Sequence, residues 1–281
     1  MGLFNNYTKE GPGVDVNAPR KRGIFLYFEI VGRKFWNLLK ANALYFLCSI
    51  PVLIAMMFLI APLLTQILLP QNLYDDSAMV ILTNALVTFI LYNYFGAGPI
   101  SAAYSYVTRE FTRSKPVWVV SDGFDAFKAN WKQSLMLLVV DFIFMFFVMI
   151  AIKYYGSGTG MLSFVLCYLM IFIFVIYALA HSFAYQIIVT YKCSFINVIK
   201  NSIIMTLAKL PMCLLLGFIT LVLNIVIIYY VGSMDILLFC VFYGVLATII
   251  TKYPLEFYAA RVIEKNIEKT ESNKSQGEDE E

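Results

Sequence analysis

Two residues stand out for chemistry within long apolar runs. Asp141 lies about seven residues inside an apolar run, and His181, the only histidine, lies near the end of the next. A carboxylate is expensive in hydrocarbon and usually faces protein or water. The two runs are joined by a short connector, so they run antiparallel and both residues fall at similar depth. A carboxylate beside an imidazole can relay a proton, or it can simply bond two helices together. Asn84, Asn93 and Asn224 also sit in apolar runs, where amides either line a polar path or bridge helices. Gly96-Ala-Gly98-Pro99 interrupts a further run. Proline suits the first turn of a new helix. Such a break either bends the chain or points free N–H groups at an anion.

The elements that position these residues are read from hydropathy. The chain has 281 residues, 60% hydrophobic and 14% charged. A soluble domain needs more charge than that to cover its surface. Runs of about 20 apolar residues match the thickness of a bilayer. The fold class is therefore an all-α integral membrane protein. Six transmembrane helices are placed near 43–69, 78–98, 134–152, 161–185, 208–231 and 235–258. Residues 1–19 form an irregular N-terminal tail, 20–263 a single membrane domain, and 264–281 a charged, partly disordered C-terminal tail. No cleavable signal is visible, because the first apolar run is too long for one.

Cation placement sets orientation. Of the 21 Lys and Arg residues, only Lys153 falls in a connector after an odd-numbered span. Both termini are then cytoplasmic, and the outer face is three tight turns, one carrying Asp75 and Asp76. The inner-face cations fit anionic lipid rather than nucleic acid. Glu256 reads as a solvated membrane-edge carboxylate that Arg261 can neutralise.

Three phrases align as aromatic-x-x-apolar-x-x-Asn. They begin at Trp36, Phe124 and Phe195 and end at Asn42, Asn130 and Asn201. An aromatic residue and an apolar one three later share a helix face that dips into the interface. Asparagine tolerates the conformation that ends a helix. The reading is three units, each an amphipathic interface helix (near 24–40, 122–130 and 194–201) followed by a helical hairpin. In the second unit, Ser121 and Asp122 are candidate N-caps.

No nucleophile elbow, phosphate loop, metal cluster or paired-carboxylate signature is present. The five cysteines contain no Cys-x-x-Cys pair. Catalytic, cofactor-binding and metal-binding residues are therefore assigned to none, and the reading is a non-enzyme.

Gly11-Pro12-Gly13-Val14, Phe28-Glu29-Ile30 through Trp36, Asn42 with Pro51, Gly98-Pro99 with Tyr104, and Asp122-Gly-Phe124 through Asn130 together resemble the YesL family. The resemblance covers residues 1 to about 140, and the rest only by hydropathy. It implies a multi-pass protein of the bacterial plasma membrane, mostly in Gram-positive bacteria, often encoded near carbohydrate ABC importers. It supplies no activity or site residues. The function expected is assistance or regulation of carbohydrate uptake, with an ABC importer or another membrane protein as partner. The alternative is a small-solute permease, proton-coupled through Asp141 and His181.

Overall fold

A computed structural model describes residues 23–69, 77–231 and 242–278. The tail 1–19 and the acidic turn with Asp75 lie outside these. The described residues are helical, with no strand among them. Helix α1 runs Ile24–Leu68 and includes a π turn at Met56–Ile60. Helices α2 (Ser77–Phe95) and α3 (Pro99–Thr112) follow, then α4 (Val119–Gly156) and α5 (Met161–Thr190). The last four are α6 (Phe195–Ala208), α7 (Leu210–Val231), α8 (Phe242–Thr251) and α9 (Tyr253–Glu278). Four of them, α1, α4, α5 and α7, are long and apolar enough to cross a bilayer, and the bent α2–α3 pair makes five. The protein is an all-α membrane protein.

The expected break at Gly96–Pro99 is present. Helices α2 and α3 meet there at a 58° bend. Gly96 (φ 76°) and Gly98 (φ 61°) take left-handed conformations, which glycine adopts without a Cβ penalty. Pro99 opens α3, where its missing N–H costs nothing.

Helix α3 occupies the stretch between the spans expected near 78–98 and 134–152, and it is not an exposed connector. It is the most enclosed helix, with ten of its fourteen residues buried, from Ser101 to Thr112. It packs against α1, α4, α5 and α9. Ser101, Ala102 and Ser105 are small enough to let neighbouring backbones approach.

The three-unit arrangement is corrected in its joints. Residues 24–40 run into the first span without a connector at Asn42, and the break lies earlier, at a kink at Lys34 (φ −109°, ψ 16°). Residues 122–130 are continuous with α4. Residues 195–201 do belong to a separate short helix, but it ends at Ala208, well past Asn201. That break sits just before Pro211, which cannot donate a backbone hydrogen bond. None of the three asparagines ends a helix, because each finds a different environment. Asn42 is fully buried: its Nδ2 donates to the Val245 carbonyl at 3.1 Å and its Oδ1 accepts from Tyr104 OH at 2.9 Å. Asn130 donates to the Ala126 carbonyl at 2.9 Å within its own helix, and Asn201 is exposed. The aromatic positions share outward exposure at Trp36 and Phe124, while Phe195 is half-buried.

Two helix ends also differ from expectation. Helix α4 starts at Val119, before Ser121, and Asp122 Oδ2 reaches back to accept the Trp118 N–H at 2.9 Å. The carboxylate satisfies the N-cap N–H from one turn inside the helix, where an acidic residue also suits the helix dipole. The charged stretch after 263, expected to be partly disordered, continues as helix to Glu278. Arg261 bonds Glu264 one turn on at 2.5 Å, and Lys265 and Glu268 repeat that i, i+3 spacing of opposite charges.

Candidate functional site

Helix α5 carries Tyr177, His181 and Tyr185 four residues apart, hence on one face. The structure brings His181 and Asp141 together, with His181 Nε2 2.7 Å from Asp141 Oδ1. Tyr177 OH donates to the same oxygen at 2.9 Å. The hydrogen count of the pair follows from its neighbours. His181 Nδ1 faces the Tyr177 carbonyl at 2.9 Å, and a carbonyl only accepts, so Nδ1 carries a hydrogen. One more proton must lie between Nε2 and Oδ1. Whether it rests on nitrogen or oxygen, the pair has no net charge. Asp141 is 0% and His181 1% exposed. A neutral pair is what such burial tolerates. Asp141 Oδ2 has no hydrogen-bond partner.

One turn further along α5, Tyr185 locks the helix break. The Gly98 N–H donates to Tyr185 OH at 3.2 Å, and that hydroxyl donates to the Phe95 carbonyl at 3.1 Å. The Ala97 N–H donates to Ser101 Oγ at 2.6 Å, and Tyr45 OH meets the same oxygen at 3.1 Å. The N–H groups that an anion would need at Ala97 and Gly98 are thus taken by the protein. Gly96, Gly98 and Pro99 act here as a bend.

The asparagines separate into two places. Asn93 Nδ2 donates to Asn224 Oδ1 at 3.0 Å, which also accepts from Tyr243 OH. Thr251 Oγ1 donates to Asn93 Oδ1 at 3.2 Å. Asn84 instead accepts from Thr65 at 2.6 Å, in the contact between α1 and α2.

A second charged centre was not expected. Glu256 is 1% exposed, so the solvated-edge reading of that residue is overturned. Its Oε2 accepts from Ser105 Oγ at 2.8 Å and from Gln186 Nε2 at 2.9 Å. Its Oε1 lies 3.9 Å from Lys252 Nζ. Lys252 is 2% exposed, donates to the Asn93 carbonyl at 3.2 Å, and sits 5.3 Å from the centre of the Tyr45 ring. Arg261 serves Glu264 and not Glu256. Lys252 and Glu256 flank Pro254, whose missing N–H interrupts the helix between α8 and α9. An i, i+4 cation and carboxylate around a proline, directly after an apolar run, was the available signal.

Arg109 is buried as well. Its Nη1 donates to the Val189 carbonyl at 2.5 Å and to Thr190 Oγ1 at 3.0 Å, while Nε bonds Glu110 at 3.0 Å. Arg109 and Lys252 therefore hold helices together.

Chemically, these groups are polar contacts that join α1, α2, α3, α4, α5, α7, α8 and α9. Among the described residues no three His, Cys, Asp or Glu side chains gather in a way that could hold a metal ion. Four cysteines, Cys48, Cys167, Cys193 and Cys213, are free thiols. In the connector after α5, burial pushes the Cys193 thiol above its ordinary pKa. Compared with the models of known families, with curated proteins and with solved structures, the chain finds no match in any of the three.

Proposed function

We propose that this chain is a non-catalytic multi-pass protein of the bacterial plasma membrane that assists or regulates carbohydrate uptake by holding a membrane partner. The observation that carries this reading is that the buried carboxylates are bonded to groups inside the bundle, Asp141 to His181 and Glu256 to Ser105 and Gln186. Asp141 and His181 share a proton inside a helix–helix contact, and neither lines either of the two lateral grooves described below. Such a core supports a bundle that keeps one shape. The carbohydrate importer as partner rests on the resemblance to YesL proteins. The topology proposed is six crossings with both termini cytoplasmic, supported by the cation asymmetry. In a cysteine-free background, a cysteine at Asp75 should be labelled by an impermeant reagent added to intact cells, and one at Ser121 should not. The opposite pattern rules out this orientation.

One observation favours the second reading, a proton-coupled small-solute permease. Asp141 Oδ2 is buried without a donor, beside a bundle that contains two interrupted helices. Broken helices near the midplane are where transporters place their sites. Asp141→Asn and His181→Gln separate the readings. For a structural pair, each should lower detergent stability by about 1 to 3 kcal/mol, with growth on the imported sugar following the amount of protein. Unchanged stability together with lost pH-dependent flux in proteoliposomes would overturn the holding role and favour transport.

A further inference from the structure

An apolar groove of about 550 Å³ opens sideways between α1, α3 and α4. Ala41 and Leu44 line it from α1, Ala103 and Val107 from α3, and Gly123 and Phe124 from α4. Its floor is made by close approach: a Cβ at Gly123 would sit 3.6 Å from Val107 Cγ2. Its open flanks carry cations. Lys40 lies one helical turn before Leu44, and Lys128 one turn after Phe124, so each shares a helix face with a lining residue. Both lysines are exposed. Lys128 Nζ stands 4.2 Å from the centre of the Phe124 ring, at the groove's edge.

Charge selects the occupant. Two flanking ammonium groups beside an apolar slot match a phosphate joined to an acyl chain. A second groove of about 300 Å³, between α2, α5 and α7, has no Lys or Arg within one helical turn of its lining residues.

We propose that the groove between α1, α3 and α4 holds an acyl chain of an anionic phospholipid, whose phosphate lies between Lys40 and Lys128. This goes beyond the holding role above and does not depend on it. The bound lipid fills the gap between the enclosed helix α3 and its two neighbours.

The test uses the full-length protein in phosphatidylcholine nanodiscs containing a small fraction of phosphatidylglycerol with a photoreactive acyl chain. Adducts should map to peptides around Ala103 and Phe124. Unlabelled phosphatidylglycerol should compete, and inorganic phosphate should not. Lys40→Gln with Lys128→Gln, both at exposed positions, should weaken labelling affinity roughly 20- to 30-fold, from the usual contribution of a lysine near anionic lipid. Ala103→Trp should fill the groove and remove the adduct. Adducts spread evenly over the lipid-facing helices, equal labelling by a phosphatidylcholine probe, or unchanged affinity in the double lysine variant would each overturn the proposal. So would a co-purifying polypeptide, rather than lipid, found crosslinked at Ala103.

Discussion

Lys252→Met should destabilise the protein by about 3 to 5 kcal/mol, the range for removing one member of a buried ion pair. The cause is what remains. Glu256 would be left fully buried with two neutral donors, Ser105 and Gln186, and no cation. Glu256→Gln should be milder. Glutamine still accepts from Ser105 and Gln186, and Lys252 keeps the Asn93 carbonyl and the Tyr45 ring. The double variant, Lys252→Met with Glu256→Gln, should recover most of the loss, because neutral side chains of similar volume often replace a buried pair without cost. Unfolding in detergent, followed for the two single variants and the double, gives the coupling directly. Additive losses would mean that the 3.9 Å separation carries no interaction.

Gly244→Ala should cost about 3 kcal/mol, the upper part of the range for overpacking. A Cβ at Gly244 would lie 2.3 Å from Phe46 Cγ and 2.6 Å from both adjoining ring carbons. Phe46 is itself buried, and the neighbouring contact from Asn42 to the Val245 carbonyl ties the same two helices. The ring cannot retreat without loosening α1 from α8. Gly32→Ala is the matching control. Gly32 is also helical, but a Cβ there would meet nothing within 4 Å. That substitution should stabilise the protein by roughly 0.5 to 1 kcal/mol through helix propensity. Equal effects at the two glycines would show that packing at Gly244 is looser than this contact requires.

The parts of this fold that were legible in the sequence are those with local causes. Spans follow from runs of apolar residues. The bend at Gly96–Pro99 follows from two glycines free of a Cβ and a proline without an N–H. Asp141 and His181 met because a buried carboxylate needs a partner and short connectors leave few candidates at that depth. What was not legible depends on neighbours distant in sequence. Asn42, Asn130 and Asn201 look alike locally, yet Tyr104 and Val245 draw only Asn42 into the core. Glu256 and Lys252 resemble membrane-edge charges, because burial of a helix end is set by what packs over it. Here α3 packs over it, and α3 itself carries enough polar residues to read as a connector.

The enclosure of α3 also has a consequence for how the chain is made. Ser105 bonds Glu256 across 151 residues, and Asn93 receives Lys252 across 159. A ribosome that has delivered α2, α3 and α5 to the membrane has not yet made their partners in α8 and α9. Until α8 and α9 emerge, Ser105, Gln186 and the Asn93 carbonyl have neither the carboxylate nor the ammonium that joins them. The middle of the protein is completed by α8 and α9, so this core stays open until both helices are made.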